Sequence, residues 1–258
     1  MNKIFAVSGV VVRELYRRKD FYVLFILTVL ITLLAGSANF FNDKSIVRYL
    51  KEICLVLIWI SALVVAISTA ARQIPFERES RTIFPLLAKP ISRAQVLMGK
   101  FLGCWLASGG ALLVFYIFFA LVSVSHEHSF PLGNYLQAFW MHWQMVGIVV
   151  AVTLLGSVVL STVAANVTIL FIVTLGILFV GPHLHKVAAG MTEPSGSILT
   201  AIYFVIPHLE FFDLRSRIVH DWPLVEWAYI GGATLYAWLY TAFFLMAACL
   251  AFRRKALN

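Results

Sequence analysis

The string nearest to a catalytic signature in this sequence is His126-Glu127-His128. A zinc hydrolase sets two imidazoles one helical turn apart, as in H-E-x-x-H, with the glutamate as base. A separation of two residues cannot put both imidazoles on one helix face. His183 and His185 form a second H-x-H pair. Metal binding or pH sensing is the chemistry such pairs could do. No carboxylate or thiolate cluster completes a ligand set, so no metal is expected. Gly99-Lys100-Phe101 lacks both the hydroxyl and the earlier glycine of a phosphate-binding G-x-x-x-x-G-K-[ST] loop. No G-x-S-x-G nucleophile elbow occurs either. The chain therefore reads as neither an enzyme nor a nucleotide binder, with no catalytic residues and no cofactor of its own.

The elements that would position any site are membrane helices. Of 258 residues, 61% are hydrophobic and 12% charged. Soluble domains average about 45–50% apolar and about 25% charged residues. A soluble fold of this composition would expose large apolar patches and aggregate. The fold class expected is all-α, a polytopic membrane protein forming one domain over 1–258. Spans are expected at 21–41, 53–71, 101–124, 144–162, 166–182 and 228–251, each near the roughly 20 residues that a bilayer core demands. Residues 144–182 hold no charge over 39 positions, too many for one span, so two helices should turn near 161–166. Cys54, Cys104 and Cys249 all lie in apolar runs and read as packing residues. Gly36-Ser37-Ala38 resembles a signal-peptidase site, but an apolar run long enough to span favours an uncleaved first helix.

Charge sets the orientation. With the N-terminus inside, 14 of the 20 Lys and Arg fall on the inner side, as the positive-inside rule describes. Both termini are then cytoplasmic. The net charge of +8 marks topology and lipid-bilayer contact, with no need of nucleic acid. All seven histidines fall outside the spans or near their outer ends. Ile4, Val11, Val12 and Leu15 recur at helical spacing opposite Arg13, Arg17 and Arg18. They predict an N-terminal interfacial helix on the inner leaflet. No expected span contains an ionisable side chain, which argues against a proton-driven carrier. Among the polar residues left inside, Asn39, Asn166 and Thr168 are the pathway candidates; interhelical hydrogen bonding is their plainer role. Gly99, Gly103, Ala107 and Ala111 step at i+4 as a close-packing face, read as packing within the chain.

The inner loop, 72–100, is the most informative segment. Pro75 suits the first turn of a short helix, and Glu77 and Glu79 complement its dipole. Glu77 and Arg81 are spaced as an i,i+4 pair. Pro85 and Pro90 break the helix, and Ser92 with Gln95 forms a capping box for the next. A solvated connector and a docking element for a soluble partner both fit this pattern.

The run Glu77-Arg78-Glu79-Ser80-Arg81-Thr82, Leu86-Leu87, Lys89-Pro90-Ile91-Ser92-Arg93 and Gly99-Lys100-Phe101-Leu102-Gly103 resembles the permease subunits of type-2 ABC exporters. Their pattern reads roughly E-R-E-x-G-T, a leucine pair, P-[IV]-S-R, then a lysine entering the third helix. The similarity is greatest to the branch containing the nitrous-oxide-reductase maturation and gliding-motility permeases. Phe212-Asp213-Leu214, after Pro207, is similar to that family's segment before the last span. Arg81 departs from it, standing where glycine is usual.

The resemblance implies a membrane subunit that forms the pathway of an ATP-driven exporter. A second permease copy, giving a homodimer, and a separate ABC ATPase subunit that binds ATP and Mg would complete it. It also implies that the helix from Pro75 is the coupling helix. Glu77, Arg78, Glu79, Ser80 and Thr82 would then couple to the ATPase, while Pro90, Ser92 and Arg93 would set the corner. The alternative is a non-transporting anchor or scaffold that recruits a soluble partner through the same loop. An outer re-entrant loop is expected over 183–226, with the apolar stretch 198–206 shielded. The cargo is not chosen by the residues.

Overall fold

A computed structural model describes residues 2–17, 19–37, 44–80, 91–127, 131–191 and 195–254. It is all-α. In chain order the helices are α1 (Asn2–Arg17), α2 (Lys19–Ser37), α3 (Lys44–Arg72), α4 (Pro75–Glu79), α5 (Arg93–Glu127), α6 (Leu132–Val159) and α7 (Val163–Ala189). After them come α8 (Ser195–Val205), a 3-10 turn (Leu209–Phe212), α9 (Arg215–Val219) and α10 (Trp227–Arg254). Asn39, Arg81, Thr82 and Pro90 lie outside the described residues, as does His128.

Among the described residues, six segments are long and apolar enough to cross a membrane: Val47–Glu79, Arg93–Ser125, Leu132–Val159, Val163–Gly181, Ser195–Val219 and Trp227–Arg254. Five of these rest on the single long helices α3, α5, α6, α7 and α10. The sixth is interrupted at 206–208 and again at 213–214. Eleven residues of α8 reach only about 16 Å, against about 28 Å for the 19 of α2. The physical length therefore favours α2 as a span, although its clearly apolar stretch, Phe21–Leu33, is the shorter one.

The long helices overrun the expected spans. The 35 residues of α5 extend about 52 Å, and α6 starts at Leu132, twelve residues before 144. Buried Lys51, Lys100 and His142 consequently sit inside long helices. Hydropathy registers a span by its apolar middle, so polar side chains buried near the ends were left out of it. The turn between α6 and α7 is tighter than expected, at 160–162, with Thr162 Oγ1 accepting the N–H of Ala165 at 3.4 Å.

At the centre stands α6, buried on every side over 144–151. Its contact with α5 is locked reciprocally. Trp105 and Trp143 stack at 4.7 Å, and each indole N–H donates to the other's carbonyl at 3.1 Å. Glycine makes room for both rings: a Cβ at Gly109 would overlap Trp143, and one at Gly147 would stand 3.1 Å from Trp105 Nε1. By contrast, α7 and α10 each keep an exposed apolar face. Ile172 and Phe179 mark the first, and Leu235, Trp238, Phe243 and Met246 the second.

The small-residue face of α5 does pack within the chain, and its partner is α1. A Cβ at Gly99 would come 2.8 Å from Val7 Cβ, and one at Gly103 2.6 Å from Val11 Cβ. Farther along, Leu15 is buried with Ala107 and Ala111. Contacts thus rise in step along both helices, and α1 runs parallel to α5. The expected N-terminal helix is present, and its apolar face lies against α5. Val11 and Leu15 are covered by protein, not free for lipid, because glycine lets the two backbones approach closely. Arg13 and Arg17 remain exposed.

At the end away from α4, the segment after α7 forms an irregular cap. Gln137 exchanges two 3.0 Å bonds with the main chain of Val225. Asn134 Nδ2 donates to Trp222 O at 3.0 Å, and the N–H of His208 donates to Tyr236 Oη at 2.8 Å. Ile198, Phe204 and Val205 are exposed within the single chain.

Candidate functional site

The chain leaves α3 at Arg72 and turns through Gln73 and Ile74 into α4, five residues opened by Pro75. Ile74 is buried with Leu97, Val158, Ala248 and Phe252, a cluster that gathers the ends of α5, α6 and α10 around the start of α4. Lys100 Nζ, 2% exposed, donates to Glu77 Oε1 at 2.6 Å and to Gln73 O at 3.0 Å. It also lies 3.3 Å from Gln73 Oε1, and Gln73 Nε2 in turn donates to Thr69 O. A lysine withdrawn from water needs such a set of acceptors. The short helix is therefore bolted to α5 by a buried cation.

Glu77 accordingly does not face outward beside Glu79. It is turned into the protein, and its described partner is Lys100. Glu79, Ser80 and Phe76 form the exposed side, with Phe76 54% accessible. Ser80 closes the helix, its hydroxyl donating to Phe76 O at 2.8 Å. Arg78 is half-buried, and its Nη1 has no partner among the described residues.

The expected capping box is present: Ser92 N–H donates to Gln95 Oε1 at 3.1 Å and Gln95 N–H to Ser92 Oγ at 3.2 Å. Arg93 reaches across to α10. Its Nη1 donates to Phe252 O at 2.7 Å, and the guanidinium stands 5.5 Å from the Phe252 ring centroid. A cation at a helix C-terminus answers the dipole there. The first turns of α5 thus hold α4 through Lys100 and α10 through Arg93. Asn166 adds a third tie. Fully buried on α7, it donates to Ala71 O at 2.8 Å and so fastens α7 to the last turn of α3. Thr168, by contrast, faces outward.

A second polar cluster lies toward the cap. His142, 5% exposed, has its Nδ1 3.5 Å from Tyr116 Oη, and its Nε2 has no partner among the described residues. Arg215 grips Asp213 in a fork of 2.9 and 2.7 Å and stands 4.9 Å from the Trp59 ring centroid. His142 and His208 are buried. Among the described residues, no three His, Cys, Asp or Glu gather as metal ligands.

Sequence reasoning missed Lys100 as the partner of Glu77 and Gln73, from which it is separated by 23 and 27 residues. The signal was a lone lysine at the edge of an apolar run.

A family model described as ABC-2 family transporter protein matches residues 11–257. The chain belongs to that family. It is thereby the membrane subunit, or permease, of an ABC transporter, a multi-pass membrane protein that is not itself catalytic and whose family works with an ABC ATPase subunit. No curated protein matches the chain.

Proposed function

We propose that this ABC-2 permease forms the pathway of an ATP-driven exporter and that α4 is its coupling helix. The observation that carries the reading is the two-sided character of α4. One side is bolted to α5 through Glu77 and Lys100, and the other offers Phe76, Glu79 and Ser80 to a partner. A short rigid helix fixed in this way passes a displacement to the spans it joins. Arg78 extends the docking surface, while Ser92 and Arg93 hold the corner that leads into α5; Thr82 and Pro90 are assigned to the same two roles by the loop motif. ATP and Mg belong to the separate ATPase.

The α4 end is cytoplasmic, and so are both termini, since Ile4 lies beside Gly99 and Arg93 reaches Phe252 at that same end. The spans are α2, α3, α5, α6, α7 and α10, with α8 and α9 in the outer cap, in the plasma membrane of a bacterium. A second copy completes a homodimer across the exposed face of α7, where Thr168 borders the pathway. Asn39 belongs with it as a pathway residue, whereas the bond from Asn166 to Ala71 gives Asn166 a bracing role. Within the family, the loop motif favours the branch of the nitrous-oxide-reductase maturation and gliding-motility permeases.

The test is purification of the tagged chain from its native membranes in mild detergent. An ABC ATPase should co-purify in near-equal amount and be lost from the Phe76→Ala/Glu79→Ala variant, with the melting temperature unchanged. A chain that emerges without an ATPase would instead favour the scaffold reading.

A further inference from the structure

Between α5, α6 and α10 the surface opens into a groove of about 600 Å³, within the range of small-molecule sites. Phe101 and Trp105 wall it on one side, Leu245 and Met246 on the other. Its two ends differ. Halfway along the helices the Trp238 indole N–H donates to Gln144 Oε1 at 3.0 Å, and this pair closes the groove. At the α4 end it opens beside Arg253, which is exposed and makes no ion pair among the described residues. From Trp238 to Arg253 the wall of α10 runs about 22 Å at ~1.5 Å per residue. One leaflet's share of the hydrocarbon core is about 15 Å, so the groove spans the chain region of a leaflet and reaches its headgroups.

Among the described residues no Asp or Glu lines the groove, and its one charge is a guanidinium at the mouth. That arrangement repels a cationic amphiphile. It suits a phosphate, which a guanidinium binds through paired N–H donors. We infer that the groove is a binding site for one anionic phospholipid of the leaflet at the α4 end. Its phosphate rests on Arg253, and one acyl chain lies along Phe101, Trp105 and Leu245 as far as the Trp238–Gln144 pair. This inference rests on the chain's lying in a membrane and not on the docking of an ATPase.

The experiment reconstitutes the full chain in phosphatidylcholine vesicles containing a minority of phosphatidylglycerol. After detergent extraction, native mass spectrometry counts the lipid retained per chain. The expected result is one phosphatidylglycerol per chain, with retention reduced about fivefold by Arg253→Gln. Arg254→Gln, on an exposed arginine that does not line the groove, should leave retention unchanged. Ala242→Trp, which fills the groove, should abolish retention without changing the melting temperature. Should Ala242→Trp fail to fold, the pair of arginine variants still decides. Equal retention of the two lipids would overturn the site, and so would equal loss in both arginine variants. Disulfide capture between two copies through Met246→Cys would also overturn it, showing that a second chain covers the groove. Because Arg253→Gln leaves the α4 surface intact, ATPase co-purification from that variant tests the proposed function separately.

Discussion

At one end of the bundle a five-residue helix is held by a buried ion pair, whereas at the other a longer irregular cap is held by neutral amide bonds together with ion pairs whose carboxylates are more open to water. Lys100 ties α4 to α5 at 2.6 Å from Glu77 in a site nearly closed to water. Gln137 and Asn134 tie the cap to α6 through the main chain at Val225 and Trp222. The ion pairs of the cap are more open on the carboxylate side: Lys51 is 2% exposed but its partner Asp221, 3.1 Å away, is 58% exposed, and Asp213 and Arg215 are 30% and 28% exposed, against 25% for Glu77. The difference is one of mechanical kind. A desolvated charge tolerates no gap, so α4 and α5 move together. Several neutral bonds, each of modest strength, hold a cap in place while allowing any one of them to open.

The comparison breaks most sharply at Lys100. Lys100→Met leaves Glu77 without its cation and should cost about 3 kcal/mol, the low end for breaking a buried pair because Glu77 keeps some solvent contact. Thermal unfolding in detergent reads this, and Lys100→Met/Glu77→Gln should recover much of the loss. A double variant no better than the single would show that the pair is not coupled. Next comes Gly103→Leu, which drives a side chain into Val11 and Ser8 of α1. An overpacking cost of about 1–3 kcal/mol is expected, with faster proteolysis at Arg13 and Arg17; unchanged proteolysis would contradict the packing of α1 on α5.

Smaller effects are expected at the cap. Gln137→Ala removes both bonds to Val225 and should cost about 1 kcal/mol. Hydrogen exchange at the Val225 amide should quicken while that of α4 stays constant. The smallest effect belongs to Asp213→Asn, at most about 1 kcal/mol and weaker in high salt, because Arg215 keeps its place over Trp59. A larger loss there than at Lys100 would invert the comparison.

Much of this was legible in the residues. Apolar runs announced the long helices, Pro75 the start of α4, and Ser92 with Gln95 the cap of α5. Helix ends were less legible, because a helix buried on all sides, such as α6, has no polar stripe to mark where it stops. His142 and Gln144 interrupt hydropathy yet lie inside the helix, satisfied in part by Tyr116 and Trp238. The direction of a side chain on a five-residue helix was illegible too. Glu77 and Glu79 look alike in sequence, and only the distant Lys100 decides which turns inward. The partner of the glycine face was hidden for the same reason, since Val7 and Val11 of α1 stand 92 positions before Gly99 and Gly103 of α5.

The central claim is that α4 presents its Phe76, Glu79 and Ser80 side to an ABC ATPase. Site-specific crosslinking tests it most directly. Cysteines placed at Glu79, and as a control at Asp221 in the cap, would carry a photocrosslinker in native membranes. The account predicts that Glu79→Cys captures an ABC ATPase, with a yield that changes on adding ATP, and that Asp221→Cys captures none. An ATPase captured from both positions, or from neither, would contradict it.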